Sequence, residues 1–127
     1  MHTDSNQDKN KVLVFGASLK EARASNRAVK LLQSKNNEVV AIGGRNGMIE
    51  NVPVQTELYH AKDIHTITLY MGEKRQQAYL KYFLSLEPKR IVFNPGAENL
   101  KLFYEAQKQG IEVINACTLV MLTLNDF

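Results

Sequence analysis

The stretch Val12-Leu13-Val14-Phe15-Gly16-Ala17-Ser18 decides the fold that this sequence predicts. Consecutive apolar residues followed by a glycine are typical of a β-strand that is buried on both faces. Residues 25–35 follow as an apolar pattern at helical spacing, with Ser25 as the predicted N-cap. A buried strand, a glycine turn and an amphipathic helix together predict the first unit of a parallel α/β sheet.

The same alternation of strand and helix patterns continues along the rest of the sequence. Further strands are predicted at Glu38–Ile42, Ile64–Met71, Arg90–Phe93 and Ile111–Ile114. Helices are predicted over residues 73–86 and 98–109, and Thr118 is the predicted cap of a short final helix. Right-handed crossovers between such strands give an α/β fold, a Rossmann-type doubly wound three-layer sandwich with a five-stranded, mainly parallel sheet.

Two segments have a weaker pattern than the rest. Between Arg45 and Asp63, Val52-Pro53-Val54 is compatible with an extended chain, and residues 56–62 favour a short helix. Residues 1–10 are polar and aperiodic, which indicates a disordered leader. Residues 11–127 are then predicted to form a single domain.

The composition of the chain limits the classes of protein to which it can belong. With 44% hydrophobic residues in 127, the chain is predicted to build its core without disulfides or metals. The single cysteine, Cys117, cannot form an internal disulfide, and no apolar run approaches the roughly 18 residues that span a bilayer. We therefore expect a cytoplasmic protein with no membrane partner. The net charge of +3 is spread along the chain without interleaved aromatic residues, which argues against nucleic acid as a partner.

Six of the seven glycines lie at or near the carboxyl ends of the predicted strands, and the short segments at these ends are candidate site residues. They are Gly16-Ala17-Ser18, Gly43-Gly44-Arg45, Tyr70-Met71-Gly72, Asn94-Pro95-Gly96-Ala97 and Asn115-Ala116-Cys117. In doubly wound folds, ligands bind beyond the carboxyl ends of the strands, where the strand order reverses. The sequence therefore predicts a binding crevice that these loops surround.

The first two loops favour a ligand with a phosphorylated ribose over NAD. A dinucleotide fingerprint would place glycines where this chain has Ser18 and Glu21. The loop can still offer backbone N–H groups, the hydroxyls of Ser18 and Ser25, and a helix N-terminus to phosphate. After the second strand, NAD enzymes usually place a carboxylate, whereas this chain has Arg45, which suits the phosphorylated ribose of NADP or coenzyme A.

The sequence resembles the small CoA-binding proteins, which are similar to the CoA-binding domain of the succinyl-CoA synthetase α subunit. The resemblance covers about residues 11–124 and rests on Val14–Ser18, Arg23–Leu32, Arg45, Arg90–Asn99 and Asn115–Thr118. It implies coenzyme A or an acyl-CoA as the ligand, held by Gly16, Ala17, Ser18, Ser25, Arg45, Met71, Asn94, Pro95 and Gly96. The first loop would hold phosphates, and Arg45 would meet the phosphorylated adenosine. Many relatives have Asn-Pro where this chain has Gly43-Gly44.

The sequence offers little for catalysis. The synthetase needs a phosphorylated histidine in a further domain, whereas His60 and His65 flank the amino end of the third strand and His2 lies in the leader. No Cys/His spacing resembles a metal site, and Cys117 is the one candidate nucleophile. We therefore expect a non-catalytic carrier, sensor or accessory module, with Cys117-dependent thiol chemistry left open. The alternatives are an NADP-binding oxidoreductase subunit and an interaction protein with a vestigial crevice; a protein partner or a homodimer also stays open.

Overall fold

The apolar stretch that opens the sequence pattern becomes the central strand, β1 (Lys11–Ala17), in the computed structural model, which describes residues 10–127. The other strands are β2 (Glu38–Gly43), β3 (Gly47–Ile49), β4 (Val52–Gln55), β5 (Thr66–Leu69), β6 (Arg90–Phe93) and β7 (Glu112–Asn115). Their order in the sheet is β3-β4-β2-β1-β5-β6-β7, and all neighbours are parallel except β3 and β4. The predicted α/β class with a mainly parallel sheet is confirmed.

The helices cover both faces of this sheet. They are α1 (Ala24–Ser34), α2 (Glu73–Gln76), α3 (Leu80–Ser85), α4 (Leu100–Lys108) and α5 (Thr118–Thr123), with a 3-10 turn at Gln77–Tyr79. Residues of β1 alternate between two cores, since Leu13 and Phe15 pack with Phe83 on one face. Val12 and Val14 pack with residues of α1 on the other face. None of the helices among the described residues is long and apolar enough to cross a bilayer.

The sheet has seven strands and not the predicted five, because the weakly patterned segment forms a hairpin. β3 and β4 pair antiparallel, and Ala41 of β2 pairs with Val54 of β4. Val52 and Val54 are buried while Pro53 between them is exposed, which is the alternation of a half-buried strand. Strands this short carry too few residues for their period to be read from the sequence.

The helix predicted at residues 56–62 is absent, since that segment has no regular secondary structure. Tertiary contacts hold it instead: the Tyr59 N–H donates to the Tyr82 hydroxyl at 3.0 Å, and Lys11 Nζ donates to the Tyr59 hydroxyl at 3.0 Å. Lys11 also pairs with Asp63 at 2.6 Å, and this contact lowers the pKa of Asp63. Local propensity is overridden here by contacts with residues that are distant in sequence.

Three helix predictions also need correction. Residues 73–86 form two short helices around a 3-10 turn and not one continuous helix. Ser25 is not the N-cap of α1, because the helix begins one residue earlier and the Ser25 hydroxyl accepts from the Ser18 N–H at 3.0 Å. Cys117, and not Thr118, flanks α5, because the Thr118 hydroxyl is engaged with Thr68 at 2.7 Å. The predicted leader lies outside the described residues, apart from Asn10.

We expect Gly43→Ala to destabilise the protein, because a Cβ at position 43 would overlap the backbone oxygen of Ala17. Overpacking of this kind costs about 1–3 kcal/mol of the free energy of unfolding, which urea denaturation would measure. Gly44→Ala is the matched control, since a Cβ there would meet nothing within 4 Å. Equal stability of the two variants would contradict the close packing of β1 and β2.

Candidate functional site

The strand order reverses beside β1. From β1 the chain continues into β2 on one side and returns through β5 on the other, so the loops after β1 and β5 diverge. A cavity of about 670 Å³ opens at this point and is lined by residues that follow β1, β2 and β5. This is the position at which doubly wound folds bind their ligands.

The end of β1 and the start of the loop after it, Gly16–Ser18, form one side of the cavity, which we call its floor. Gly16 has φ +96°, and a Cβ there would lie 2.9 Å from the Tyr70 carbonyl oxygen, so only glycine allows β1 and β5 to approach this closely. The Ser18 N–H donates to Ser25 Oγ, and Asn26 Nδ2 donates to the Ser18 carbonyl at 2.9 Å. These two hydrogen bonds attach the loop to the first turn of α1, whose N-terminal end borders the cavity.

Cationic side chains surround the cavity. Lys20, Arg23, Arg45 and Arg75 line it and are all exposed to solvent. Of the residues described, none that lines the cavity carries a carboxylate, and the first turn of α1 contains no acidic residue. Positive side chains next to the N-terminal end of a helix, which is itself the positive end of the helix dipole, favour a ligand with several negative charges.

One wall of the same cavity is apolar. It consists of Phe15, Ile42, Leu58, Met71 and Tyr79. The rings of Phe15 and Tyr79 pack edge to face with their centroids 5.0 Å apart, so Tyr79 is held in place. The cavity therefore combines a phosphate-compatible floor with a surface for a neutral organic group.

The structure brings together six of the predicted ligand residues. Gly16, Ala17, Ser18, Ser25, Arg45 and Met71 all line the cavity. Asn94, Pro95 and Gly96 do not line it, although they follow the neighbouring strand β6. The ligand contacts of these nine residues stay predictions.

The side-chain amide of Asn94 makes its hydrogen bonds within the protein. Its Nδ2 donates to Thr68 Oγ1 at 2.7 Å and to the Leu69 carbonyl at 2.9 Å. Its Oδ1 accepts from the Thr118 N–H at 2.8 Å, and the residue is buried. Asn94 thus joins β5, β6 and the start of α5 behind the cavity.

The candidate nucleophile Cys117 and the described histidines, His60 and His65, lie outside the cavity. Cys117 is partly buried at the start of α5 and does not line the cavity, although the sequence predicts that its loop surrounds the crevice. Tyr70, which is close to Cys117, does line the cavity, and burial raises the pKa of its hydroxyl to about 12. His65 precedes β5 at the opposite end of the sheet, where burial lowers its pKa. Within residues 10–127, no group of three or more His, Cys, Asp or Glu side chains could hold a metal ion.

Sequence reasoning missed several residues of the cavity. Arg75 and Tyr79 come from the helical segment after β5, and Thr56 and Leu58 come from the irregular segment after β4. Arg75 could have been found, because the first turn of a helix that follows a strand beside the switch point borders the crevice. Leu58 could not, since a helix was predicted there and its position depends on long-range contacts.

The fold and site define a class, namely doubly wound α/β domains with a ligand crevice at the switch point. Within that class, the sequence matches the CoA binding domain family over residues 10–123. The chain belongs to this family, which is related to the CoA-binding domain of succinyl-CoA synthetase. Among curated proteins the sequence has no match.

Several solved structures are similar to this chain. An uncharacterized protein solved by crystallography is 34% identical, with a TM-score of 0.90 over 94% of this chain and 98% of the other. A conserved hypothetical protein from Pyrococcus furiosus is 27% identical, with a TM-score of 0.72 over 87% and 97%. A hypothetical protein from Pyrococcus horikoshii OT3 is 19% identical, with a TM-score of 0.78 over 92% and 86%, and supports the fold alone.

Proposed function

We propose that the protein binds coenzyme A or an acyl-CoA in the cavity at the switch point and acts as a non-catalytic carrier, sensor or accessory module. The observation that carries this proposal is that one cavity is lined both by four cationic side chains and by a cluster of apolar side chains. Coenzyme A has two matching parts, since a pyrophosphate and a ribose 3′-phosphate are joined to a long, mostly neutral pantetheine arm. Membership of the CoA binding domain family supports the same ligand.

The orientation of the ligand follows from the loops. The loop at Gly16–Ser18 and the N-terminal end of α1 offer donors and positive potential to the pyrophosphate. Arg45, after β2, borders the cavity where the 3′-phosphate would lie. The pantetheine arm then runs along the β5 side, past Met71 and Tyr79.

The proposal that the protein does no chemistry alone rests on the positions of its reactive groups. Cys117 is not among the residues that line the cavity, and His65 lies at the opposite end of the sheet. A general acid or base must come within hydrogen-bond reach of the reacting group. Apart from hydroxyl groups, the side chains at the cavity provide positive charge and apolar surface.

Calorimetric titration tests the class of ligand. We expect coenzyme A to bind more tightly than NADP or NAD, because Ser18 and Glu21 replace two glycines of a dinucleotide fingerprint. Affinity for coenzyme A should fall as salt rises, since ionic contacts with phosphate are screened. Equal or tighter binding of NADP would favour the oxidoreductase alternative, and no binding of either ligand would favour the vestigial crevice.

Arg45→Ala tests the 3′-phosphate contact. A charge-assisted hydrogen bond at an exposed arginine contributes about 1.5 kcal/mol, so the variant should bind coenzyme A about tenfold more weakly. Affinity for dephospho-CoA, which lacks this phosphate, should stay nearly unchanged. Lysine at position 45 should restore only part of the loss, because an ammonium group cannot form the paired hydrogen bonds of guanidinium.

Lys89→Ala is the matched control for Arg45→Ala, since it removes one positive charge from the amino end of β6, away from the cavity. It should leave the preference for coenzyme A over dephospho-CoA intact. If Arg45→Ala keeps that preference as well, another cation of the cavity, such as Lys20, Arg23 or Arg75, binds the 3′-phosphate.

An assay of turnover tests the absence of chemistry. The isolated protein should neither form nor hydrolyse acetyl-CoA or succinyl-CoA above the rate without protein. Release of free thiol would report hydrolysis, and loss of free thiol would report formation. Turnover that is lost in Cys117→Ser would identify Cys117 as a nucleophile and would refute the non-catalytic proposal.

A further inference from the structure

Gln76, the last residue of α2, has a completely buried side chain that joins two loops. Its Nε2 donates to the Met71 carbonyl at 2.6 Å and to the Ala97 carbonyl at 2.7 Å. Met71 belongs to the loop after β5, and Ala97 belongs to the loop after β6. A single amide group therefore holds together the loops of two adjacent strands at the cavity end of the sheet.

Asn99 completes this contact from the other side. Its Nδ2 donates to Gln76 Oε1 at 2.9 Å, and its Oδ1 accepts from the Leu102 N–H at 3.1 Å as the N-cap of α4. Asn99 is itself buried. The position of Gln76 is thus fixed by α4 as well as by the two carbonyl oxygens.

Position 76 requires a side chain with an amide group at the length of glutamine. Gln76 presents two N–H donors to two carbonyl oxygens and one oxygen to a donor, which a carboxylate or an apolar side chain cannot do. Buried carbonyl groups that lose their donor are costly, so the loops would separate when the amide is removed. The contact is therefore specific and not general packing.

The side chains of Gln76 and Asn99, which we call the amide pair, hold only the β5 side of the cavity in place. Met71, whose carbonyl Gln76 binds, lines the cavity, and so do Arg75 and Tyr79 on either side of Gln76 in sequence. The loop after β1 is held independently by Ser25 and Asn26. Loss of the amide pair should therefore move the β5 wall and leave the phosphate-compatible floor in place.

We infer that Gln76 and Asn99 are positioning residues that set the β5 wall of the cavity and so determine how much the pantetheine arm contributes to affinity. This inference rests on the proposed function, because it assigns the arm to the β5 side. The nucleotide half of the ligand lies against the floor and does not depend on the pair.

Calorimetry with coenzyme A and with 3′,5′-ADP, which represents the nucleotide half alone, tests the inference. Gln76→Met removes the hydrogen bonds at similar length, and Asn99→Asp keeps the acceptor for Leu102 while removing the donor to Gln76. Each variant should bind coenzyme A about tenfold more weakly and bind 3′,5′-ADP within about twofold of the wild type. Gln77→Met, at an exposed neighbour on the same segment, should change neither affinity.

The outcomes separate this inference from the proposed function. Equal weakening of both ligands, or unchanged binding of coenzyme A, would overturn the positioning role, because general destabilisation does not distinguish the two ligands. If Gln76→Met fails to fold, the comparison with Asn99→Asp decides alone. Wild-type protein that binds coenzyme A no more tightly than 3′,5′-ADP would overturn only the inference, whereas wild-type protein that does not bind coenzyme A would overturn the proposed function as well.

Discussion

The approach of backbone to backbone at the carboxyl end of β1 is the constraint on which the rest of the site depends. Positions 16 and 43 lie so close to the carbonyl groups of Tyr70 and Ala17 that neither tolerates a Cβ atom. Since these contacts join β1 to both of its neighbours, they fix where the chain turns towards α1 and where the crevice opens. The strand order sets where the crevice opens, and the close contacts at Gly16 and Gly43 set how near β5 and β2 lie to β1 there.

The cavity that results separates two kinds of interaction. Positive charge comes from the N-terminal end of α1 and from Lys20, Arg23, Arg45 and Arg75, whereas the apolar surface consists of Met71, Tyr79 and other apolar side chains. Such a division favours a ligand that is itself part polyanion and part neutral chain. The positive charge and apolar surface of the cavity support the proposal that the protein holds such a ligand.

Buried amides brace the cavity from behind. Asn94 joins β5 to the start of α5, and Gln76 with Asn99 joins the loops after β5 and β6. The motif Asn94–Asn99 therefore has a structural role in addition to any contact with ligand. Buried hydrogen bonds of this kind keep loops at fixed positions, because the groups involved cannot exchange their partners for water.

The sequence by itself determined the alternation of strands and helices, the parallel sheet and the end of the sheet at which the cavity opens. These follow from local patterns: apolar runs of four or more residues, helical periodicity, and glycines after strands. Only the tertiary structure decided the hairpin of β3 and β4, the break in the helix at Gln77–Tyr79, and the places of Leu58, Arg75 and Tyr79 in the cavity. The physical reason is that long-range contacts fix these features, such as Tyr82 with Tyr59 and Gln76 with Ala97, and no short window of sequence contains both partners.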